Sequence, residues 1–290
     1  MEKKICVAVP TFPGHYLYAL DFMKSFIEYQ YDQQADLFFI FTTPEERDGF
    51  MPCNSIVLPE SLRIMKNRGI INIKKFYALM QLKEQYEYIF VLDDEALFCK
   101  TVDLYTICRS FFERKILYGN IVENPKWDFH RIVPEHCKKF FNKEIWKSLN
   151  CPLYLWFNQI PVYRTSDLKK FFKMTNMGRR IHNLTYYDFD YYIYMFYLIA
   201  QGGFDVMDIG IISSCSVAEI TSATPWSFTG KAETEHIFMA TQYISDCLHA
   251  KNVFLVCHRD RDVAEAGKKN KFAKLICAFK RYHKVKRLLS

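Results

Sequence analysis

The sequence predicts an α/β fold in which a mainly parallel sheet is flanked by helices. An apolar strand (residues 3–9), a helix with apolar residues along one side (16–29) and a second apolar strand (36–42) follow one another from the start of the chain. A further helix (72–84) leads into the apolar run 89–92, which has the composition of a buried parallel strand. Because β-α-β units place their strands parallel, the loops that follow these strands are expected at one edge of the sheet.

The rest of the chain continues this alternation. The pattern predicts strands at 55–58, 116–118, 154–163, 204–212 and 253–257, and helices at 102–114, from 166 onward, at 191–200 and at 233–250. Residues 120–150 are less regular and locally basic, which predicts an insertion or a mobile region rather than a core element. A chain of 290 residues is long enough for one large α/β domain, with or without a helical appendage.

The composition excludes several classes of protein. The ten cysteines contain no CxxC pair that would suggest a zinc cluster or a redox dithiol, so free thiols are expected. The start of the chain lacks the apolar segment of a signal peptide, and no apolar stretch reaches the roughly 18 residues that cross a bilayer. These observations predict a cytoplasmic protein without a membrane-spanning helix.

The net charge of +7 is concentrated near the end of the chain. Nine Lys and Arg residues and no acid lie between positions 268 and 287, whereas the rest holds 30 basic and 32 acidic residues. The expected organisation is therefore a domain at 1–262 and a basic tail at 263–290. Apolar residues alternate with the lysines, as in an amphipathic helix that binds the anionic inner face of a membrane. A solvated tail is the alternative, and no pattern typical of nucleic-acid binding accompanies it.

The strongest candidate site follows the apolar run 89–92. Three carboxylates, Asp93, Asp94 and Glu95, stand directly after it. Ligands of open α/β sheets bind beyond the carboxyl ends of the strands, and carboxylate oxygens suit hard divalent cations. The triplet therefore predicts a site for a cation and a phosphorylated ligand, with a solvated turn as the alternative.

Further candidates lie near other helix and strand ends. Lys74 and Lys75 come early in the helix 72–84, where one of them can reach a phosphate or both can be solvated. Asp188 and Asp190 precede an apolar helix, where they serve either as caps or as a general base. His258 follows the last predicted strand and can complete a metal site, as can His236, although histidines at such positions are more often loop or core residues.

Taken together, these pieces resemble the nucleotide-sugar glycosyltransferases of the GT-A fold, of the type that assembles bacterial surface glycans. The resemblance rests on Lys75-Phe-Tyr-Ala-Leu-Met followed by Tyr88-Ile-Phe-Val-Leu-Asp-Asp-Glu, which is similar to the helix and strand that lead to the family's DxD metal motif. It extends over most of residues 3–257. It implies a GT-A (Rossmann-like) fold and a hexosyltransferase-like enzyme that moves a sugar from a nucleotide-diphospho-sugar, most simply a UDP-sugar, to a glycan or lipid-linked acceptor.

The resemblance also implies roles for individual residues. Pro10, Thr11 and Phe12 would line the pocket for base and ribose, and Lys75 would bind phosphate. Asp93 or Asp94 would hold the ribose or a metal-bound water, and Glu95 would replace the last acid of the DxD motif. The expected metal ligands around Mn²⁺ or Mg²⁺ are Asp93 and Glu95, which the resemblance implies, and His258, which its place after a strand suggests. Because the Glu95 side chain is longer than that of the usual Asp, direct binding of the metal and binding through a water molecule are both compatible with it.

The resemblance favours inverting transfer with Asp188 or Asp190 as the catalytic base, and retaining transfer, which would need no base at either position, is the alternative. A departing nucleoside diphosphate gains charge that a dication stabilises, and an acceptor hydroxyl needs a base because its own pKa is far above neutrality. Two alternatives remain. A nucleotidyltransferase also places acids and a metal at a sheet edge, although residues 10–14 supply only one of the glycines that its phosphate loop needs. A non-catalytic scaffold would keep the fold and dock on membranes through the tail.

Overall fold

The computed structural model describes residues 3–63, 69–121, 128–148, 153–154, 161–208, 238–240 and 253–256. The strands are β1 (Ile5–Pro10), β2 (Ala35–Phe41), β3 (Ser55–Val57), β4 (Tyr88–Val91), β5 (Leu97–Phe98), β6 (Ile116–Ile121), β7 (Leu153–Tyr154), β8 (Val162–Arg164), β9 (Asp205–Asp208), β10 (Phe238–Ala240) and β11 (Val253–Val256). The helices are α1 (Tyr16–Glu28), α2 (Pro44–Asp48), α3 (Ile70–Leu82), α4 (Leu104–Arg114), α5 (Asp128–Lys138), α6 (Lys143–Ser148), α7 (Thr165–Thr175), α8 (Met177–Arg180) and α9 (Asp190–Gln201).

The central sheet has the strand order β3-β2-β1-β4-β8. β1 pairs in parallel with both β2 and β4, β2 pairs in parallel with β3, and β8 runs antiparallel to β4. The predicted α/β fold with a mainly parallel sheet is therefore confirmed. The chain moves outward from β1 to β3 and then returns to place β4 on the other side of β1. The strand order thus reverses between β1 and β4, which is where open α/β sheets bind ligands.

The crossover helix α3 positions the candidate site. It connects β3 to β4 and packs across β1 and β2. Its apolar side buries Ile73, Phe76 and Leu79 in the core, which accounts for the helical spacing of these residues. Because α3 runs antiparallel to the strand that follows it, its first two turns lie at the carboxyl edge of the sheet. Those turns carry three buried polar residues, Asn72, Lys74 and Lys75.

The expectation for residues 120–150 was wrong in part. The segment contains α5 and α6, and the side chains of Val133 and Cys137 are fully buried where α5 packs against α9. These two residues are spaced i, i+4 and therefore share one face of the helix. Pro134 and the charged residues around it hide this short apolar face in the sequence.

The helix expected at 233–250 is also corrected. Within that range, residues 238–240 form the strand β10, which pairs in parallel with β11, and β11 pairs antiparallel with β5. Strand pairing with distant residues here outweighs the local helical pattern. The middle of the predicted strand 154–163 and the predicted amphipathic helix of the basic tail lie outside the described residues.

The described part of the chain includes no helix with the length and hydropathy needed to cross a membrane. The cysteines that the structure describes, Cys6, Cys53, Cys99, Cys108 and Cys137, are free thiols, as their spacing in the sequence led us to expect.

Candidate active site

Two loops meet where the strand order reverses. The loop after β1 forms a short 3-10 turn, Pro13–His15, and the loop after β4 carries the three acids. His15 Nδ1 lies 2.8 Å from Asp94 Oδ1. One ligand atom from each of His15, Asp94 and Glu95 lies within 4.8 Å of the others, and both acids are buried. The reversal of strand order therefore brings together residues that are 79 positions apart in the sequence.

This group has the composition of a divalent cation site. Two carboxylates and one imidazole provide oxygen and nitrogen ligands, which suit Mn²⁺ and related ions. Asp94 Oδ2 is buried and has no hydrogen-bond partner among the described residues. A buried polar atom without a partner is unfavourable, and a bound ion or water removes that cost. A cation here would take the place of the contact between His15 Nδ1 and Asp94 Oδ1.

The first acid of the triplet, Asp93, is engaged differently. Lys75 Nζ lies 2.7 Å from Asp93 Oδ1 and 3.6 Å from Asp190 Oδ1. Burial by itself lowers the pKa of the Lys75 ammonium, but the charges of Asp93, Asp190 and Glu95 outweigh burial and raise this pKa above its ordinary value. Lys75 is therefore charged and joins two elements of the site. Its expected contact with a phosphate stays a prediction.

Asp190, the first residue of α9, has a partner for each carboxylate oxygen. Its Oδ1 faces Lys75, and its Oδ2 accepts a hydrogen bond of 2.5 Å from the Tyr163 hydroxyl of β8. Burial and the adjacent Asp190 charge raise the pKa of Tyr163 well above its usual value, so this hydroxyl remains a donor. Asp190 therefore stabilises the junction of α9, β8 and α3.

Asp188 closes the turn that leads into α9. Its Oδ2 accepts hydrogen bonds from the backbone N–H of Thr185 at 2.6 Å and from the Thr185 hydroxyl at 2.7 Å. Its Oδ1 lies 3.4 Å from Nδ1 of His136, a residue of α5. Asn72 of α3 donates to the carbonyl oxygens of Thr185 and Tyr186, at 2.9 and 3.3 Å. The turn is thus attached to the same end of α3 as the acidic loop.

Lys74 holds the loop after β1 in place. Its Nζ donates to the backbone oxygen of Thr11 at 2.6 Å and lies 3.4 Å from Glu46 Oε2. Burial lowers the pKa of Lys74, although the charges of Glu46 and Asp94 oppose that shift. The Thr11 side chain is buried and its hydroxyl finds no partner among the described residues. Lys74 is therefore a structural cation rather than one of the solvated lysines considered above.

An aromatic surface borders the cation group. The Phe12 ring is 43% exposed and its centroid lies 4.2 Å from that of the His15 ring. A Cβ added at Gly14 would lie 2.7 Å from Cε2 of Phe12, so the ring occupies space that only glycine leaves open. Pro10 is buried at the end of β1 and contributes to the sheet. The Phe12 ring can stack on a flat ligand beside the acids.

Sequence reasoning missed two residues that the fold brings to this region, His15 and His136. His15 follows the Pro-Gly pair of the loop after β1, so its place beyond a strand end was the available signal. No such signal marked His136, because it lies in residues 120–150, for which the sequence predicted no regular core element. Asp93 groups with Lys75, while Asp94 groups with Glu95 and His15. His236 and His258 lie outside the described residues, so their metal-binding roles stay predictions.

Comparisons with known proteins find similarity in structure only, at low sequence identity. No model of a protein family matches this chain, and no curated protein matches it. The mannosyltransferase Ktr4p from S. cerevisiae is similar in structure with a TM-score of 0.33 and 11% identity, over 64% of this chain and 62% of that one. TarS from S. aureus is similar with a TM-score of 0.36 and 14% identity, over 71% of this chain and 35% of that one. The chain spans less than two thirds of either structure, and these alignments assign no role to its residues.

Proposed function

We propose that this chain is a metal-dependent glycosyltransferase that moves a sugar from a nucleotide-diphospho-sugar to a hydroxyl of a glycan or glycolipid acceptor. The observation that carries the proposal is the group formed by His15, Asp94 and Glu95 where the strand order reverses, with the buried, unpartnered Oδ2 of Asp94 within it. A nucleoside diphosphate suits this place, because its phosphates bind divalent cations and open α/β sheets bind nucleotides at their carboxyl edge.

The donor set favours Mn²⁺ over Mg²⁺. Mg²⁺ binds oxygen ligands almost exclusively in a strict octahedron, whereas a site with an imidazole nitrogen is better suited to Mn²⁺. When bound, the cation supplies positive charge that stabilises the departing diphosphate. Asp94 and Glu95 would hold it, and their burial keeps competing water away. His15 would bind through the nitrogen that now contacts Asp94.

The nucleotide would lie across the loop after β1. Phe12 offers an exposed ring for the base, and the unpartnered Thr11 hydroxyl is a second polar group in this loop. Uracil remains the base favoured by the sequence resemblance. The charges of Lys75 and Asp93 neutralise each other, so Lys75 holds the acidic loop in place. Binding of a donor phosphate is the second role proposed for Lys75.

The sequence of the basic tail supports a further part of this proposal, which is binding to a membrane. The nine basic residues between 268 and 287 favour contact with the anionic inner face of a membrane, where a lipid-linked acceptor would be located. Full-length protein is expected to sediment with vesicles that contain anionic lipid, and a chain ending at residue 262 is expected to stay in the supernatant. Equal sedimentation of the two would remove the membrane part of the proposal.

Calorimetric titration tests the donor site directly. Full-length protein is titrated with UDP and with GDP, each with and without Mn²⁺, and the titration is repeated on Asp94→Asn and on the surface control Asp48→Asn. We expect micromolar binding of one nucleotide that requires the metal, persists in the control and is lost in Asp94→Asn. Folded protein that binds neither nucleotide with metal present would overturn the proposal. Pyrophosphate release from UTP and a sugar phosphate would instead support a nucleotidyltransferase.

A further inference from the structure

The two carboxylates expected to act as catalytic base are both occupied by other partners. Asp190 is engaged by Tyr163 and Lys75, and Asp188 accepts two hydrogen bonds from Thr185 on one oxygen. These contacts occupy carboxylate oxygens that a base would need for the acceptor hydroxyl. The second oxygen of Asp188, however, faces an imidazole, that of His136. This arrangement resembles the carboxylate and histidine pair in which the carboxylate orients the ring.

We propose that His136, oriented by Asp188, is the general base that activates the acceptor hydroxyl. The inference rests on the proposed function and names the residue that removes the proton. With Nδ1–H donating to Asp188 Oδ1, the neutral ring keeps its lone pair on Nε2. The 3.4 Å separation is long for a hydrogen bond, and such contacts commonly shorten when substrate binds. The carboxylate also stabilises the imidazolium that forms during the reaction.

In the proposed step one carbon–oxygen bond forms, another breaks and one proton is transferred. Nε2 of His136 takes the proton of the acceptor hydroxyl while the acceptor oxygen forms a bond to the anomeric carbon of the donor sugar. The bond between that carbon and the diphosphate oxygen breaks, and its electron pair leaves with the nucleoside diphosphate. The proton then passes from the imidazolium to solvent, which restores the neutral ring.

Position supports this role for His136. The turn that contains Asp188 is attached to Asn72 at the start of α3, and Lys75, one turn further along α3, contacts Asp93 beside the cation group. The side chain of His136 is 29% exposed, so an acceptor can reach it.

The surroundings of His136 define which groups influence its protonation. The charged group that the described contacts place against the ring is Asp188. The Thr185 hydroxyl lies 3.5 Å from Nδ1, and the Tyr187 ring lies at 5.3 Å between centroids. On α5 itself, Glu135 and Lys138 pair with each other. The polar contacts of the imidazole within the described residues therefore run through Nδ1, which leaves Nε2 as the proton acceptor.

The tautomer of His136 gives a test that does not require turnover. Histidine nitrogens of the full-length protein are labelled with ¹⁵N, and the His136 signals are assigned by their loss in His136→Gln. At alkaline pH we expect the proton on Nδ1, and we expect this preference to disappear in Asp188→Asn. The exposed His182 serves as control, since His182→Gln is expected to leave the His136 signals unchanged. A neutral ring protonated at Nε2 in the unaltered protein would contradict the proposal.

Turnover provides the second test. Nucleoside diphosphate release is measured with UDP-glucose, UDP-galactose and UDP-N-acetylglucosamine in the presence of Mn²⁺, with water as the hydroxyl that accepts the sugar, after calorimetry of donor binding. His136→Ala is expected to lower the rate by about 100-fold, the lower end of general-base contributions, while the donor Kd changes less than about threefold. Added imidazole is expected to restore part of the rate, and His182→Ala is expected to behave as the unaltered protein does.

The two experiments distinguish a failure of the role proposed for His136 from a failure of the proposed donor site. Metal-dependent UDP binding together with an undiminished rate in His136→Ala would overturn the role of His136 and leave the proposed function standing. Failure of imidazole to restore any activity to His136→Ala would likewise overturn the role of His136. Donor binding without turnover of any of the three donors by the unaltered protein would count against both proposals. Loss of donor binding in His136→Ala would assign the residue a structural role. Failure of the unaltered protein to bind any nucleotide would overturn both proposals.

Discussion

Lys75 Nζ lies 2.7 Å from Asp93 Oδ1, and this contact ties the crossover helix to the acidic loop after β4. The same nitrogen lies 3.6 Å from Asp190 at the start of α9. A single buried cation therefore connects three elements that are distant in sequence. Asp93 and Asp190 share this charge, which offsets the repulsion between the two carboxylates.

Removal of this cation is expected to destabilise the protein. Lys75→Met leaves Asp190 buried without its counter-charge, and breaking a buried pair in this way costs about 3 kcal/mol. Urea denaturation measures the loss. Lys83→Met, which removes a lysine paired with the exposed Glu84, is the matched control and is expected to change stability by less than about 0.5 kcal/mol. Equal effects of the two substitutions would contradict the structural role of Lys75.

The stabilisation by Lys75 also has a predicted pH range. Its pKa is higher in the folded protein than in the unfolded chain, where lysine titrates at about 10.4. The contribution is therefore complete below about pH 10 and declines only as the pH rises through the folded-state pKa. Between pH 7 and 9, the difference in unfolding free energy between the unaltered protein and Lys75→Met is expected to stay constant. A difference that shrinks within that range would place the cause elsewhere.

The hydrogen bond from Tyr163 to Asp190 gives a second stability prediction. Tyr163→Phe leaves a buried carboxylate oxygen without its donor, and we expect a loss of about 2 kcal/mol, as for hydrogen bonds to charged groups. Tyr105 also donates to a carboxylate, Glu87 at 2.9 Å, but at the surface. Tyr105→Phe is therefore the control, with an expected change below about 0.5 kcal/mol in the same denaturation experiment.

His15 is expected to set the preference for the metal. A ligand that binds directly contributes more than the 10-fold to 100-fold typical of supporting residues. His15→Ala should therefore lower Mn²⁺ affinity by more than about tenfold and Mg²⁺ affinity by less, because imidazole suits Mg²⁺ poorly. Calorimetry with each metal measures both values. Retained Mn²⁺ affinity in His15→Ala would exclude this residue as a ligand.

Gly14 is expected to control nucleotide binding through Phe12. In Gly14→Ala the new methyl group overlaps the Phe12 ring, so the ring must leave its position on His15. UDP binding in the presence of Mn²⁺ should weaken as it does in Phe12→Ala, and the double variant should be no weaker than either single one. Gly178→Ala is the control, because a Cβ there meets no atom within 4 Å. Additive losses in the double variant would show that the two residues act separately.

Much of the fold follows from local patterns. The β-α-β start, the crossover helix and the strand that ends in acids appear within one or two residues of their expected bounds, because each buries a continuous apolar face. The predictions failed where local signal was weak. Residues 238–240 become a strand only because β11 pairs with them, and α5 is stabilised by burial of Val133 and Cys137 against α9.

The sequence by itself determined where the acids stand, at the end of a buried strand, because apolar residues must leave water and charged ones must stay near the sheet edge. Only the tertiary structure decided their partners. Strand order placed His15 beside Asp94, the crossover helix directed Lys75 to Asp93, and the packing of α5 on α9 placed His136 against Asp188. Contacts of this kind depend on how elements pack in three dimensions, which no local pattern of residues contains.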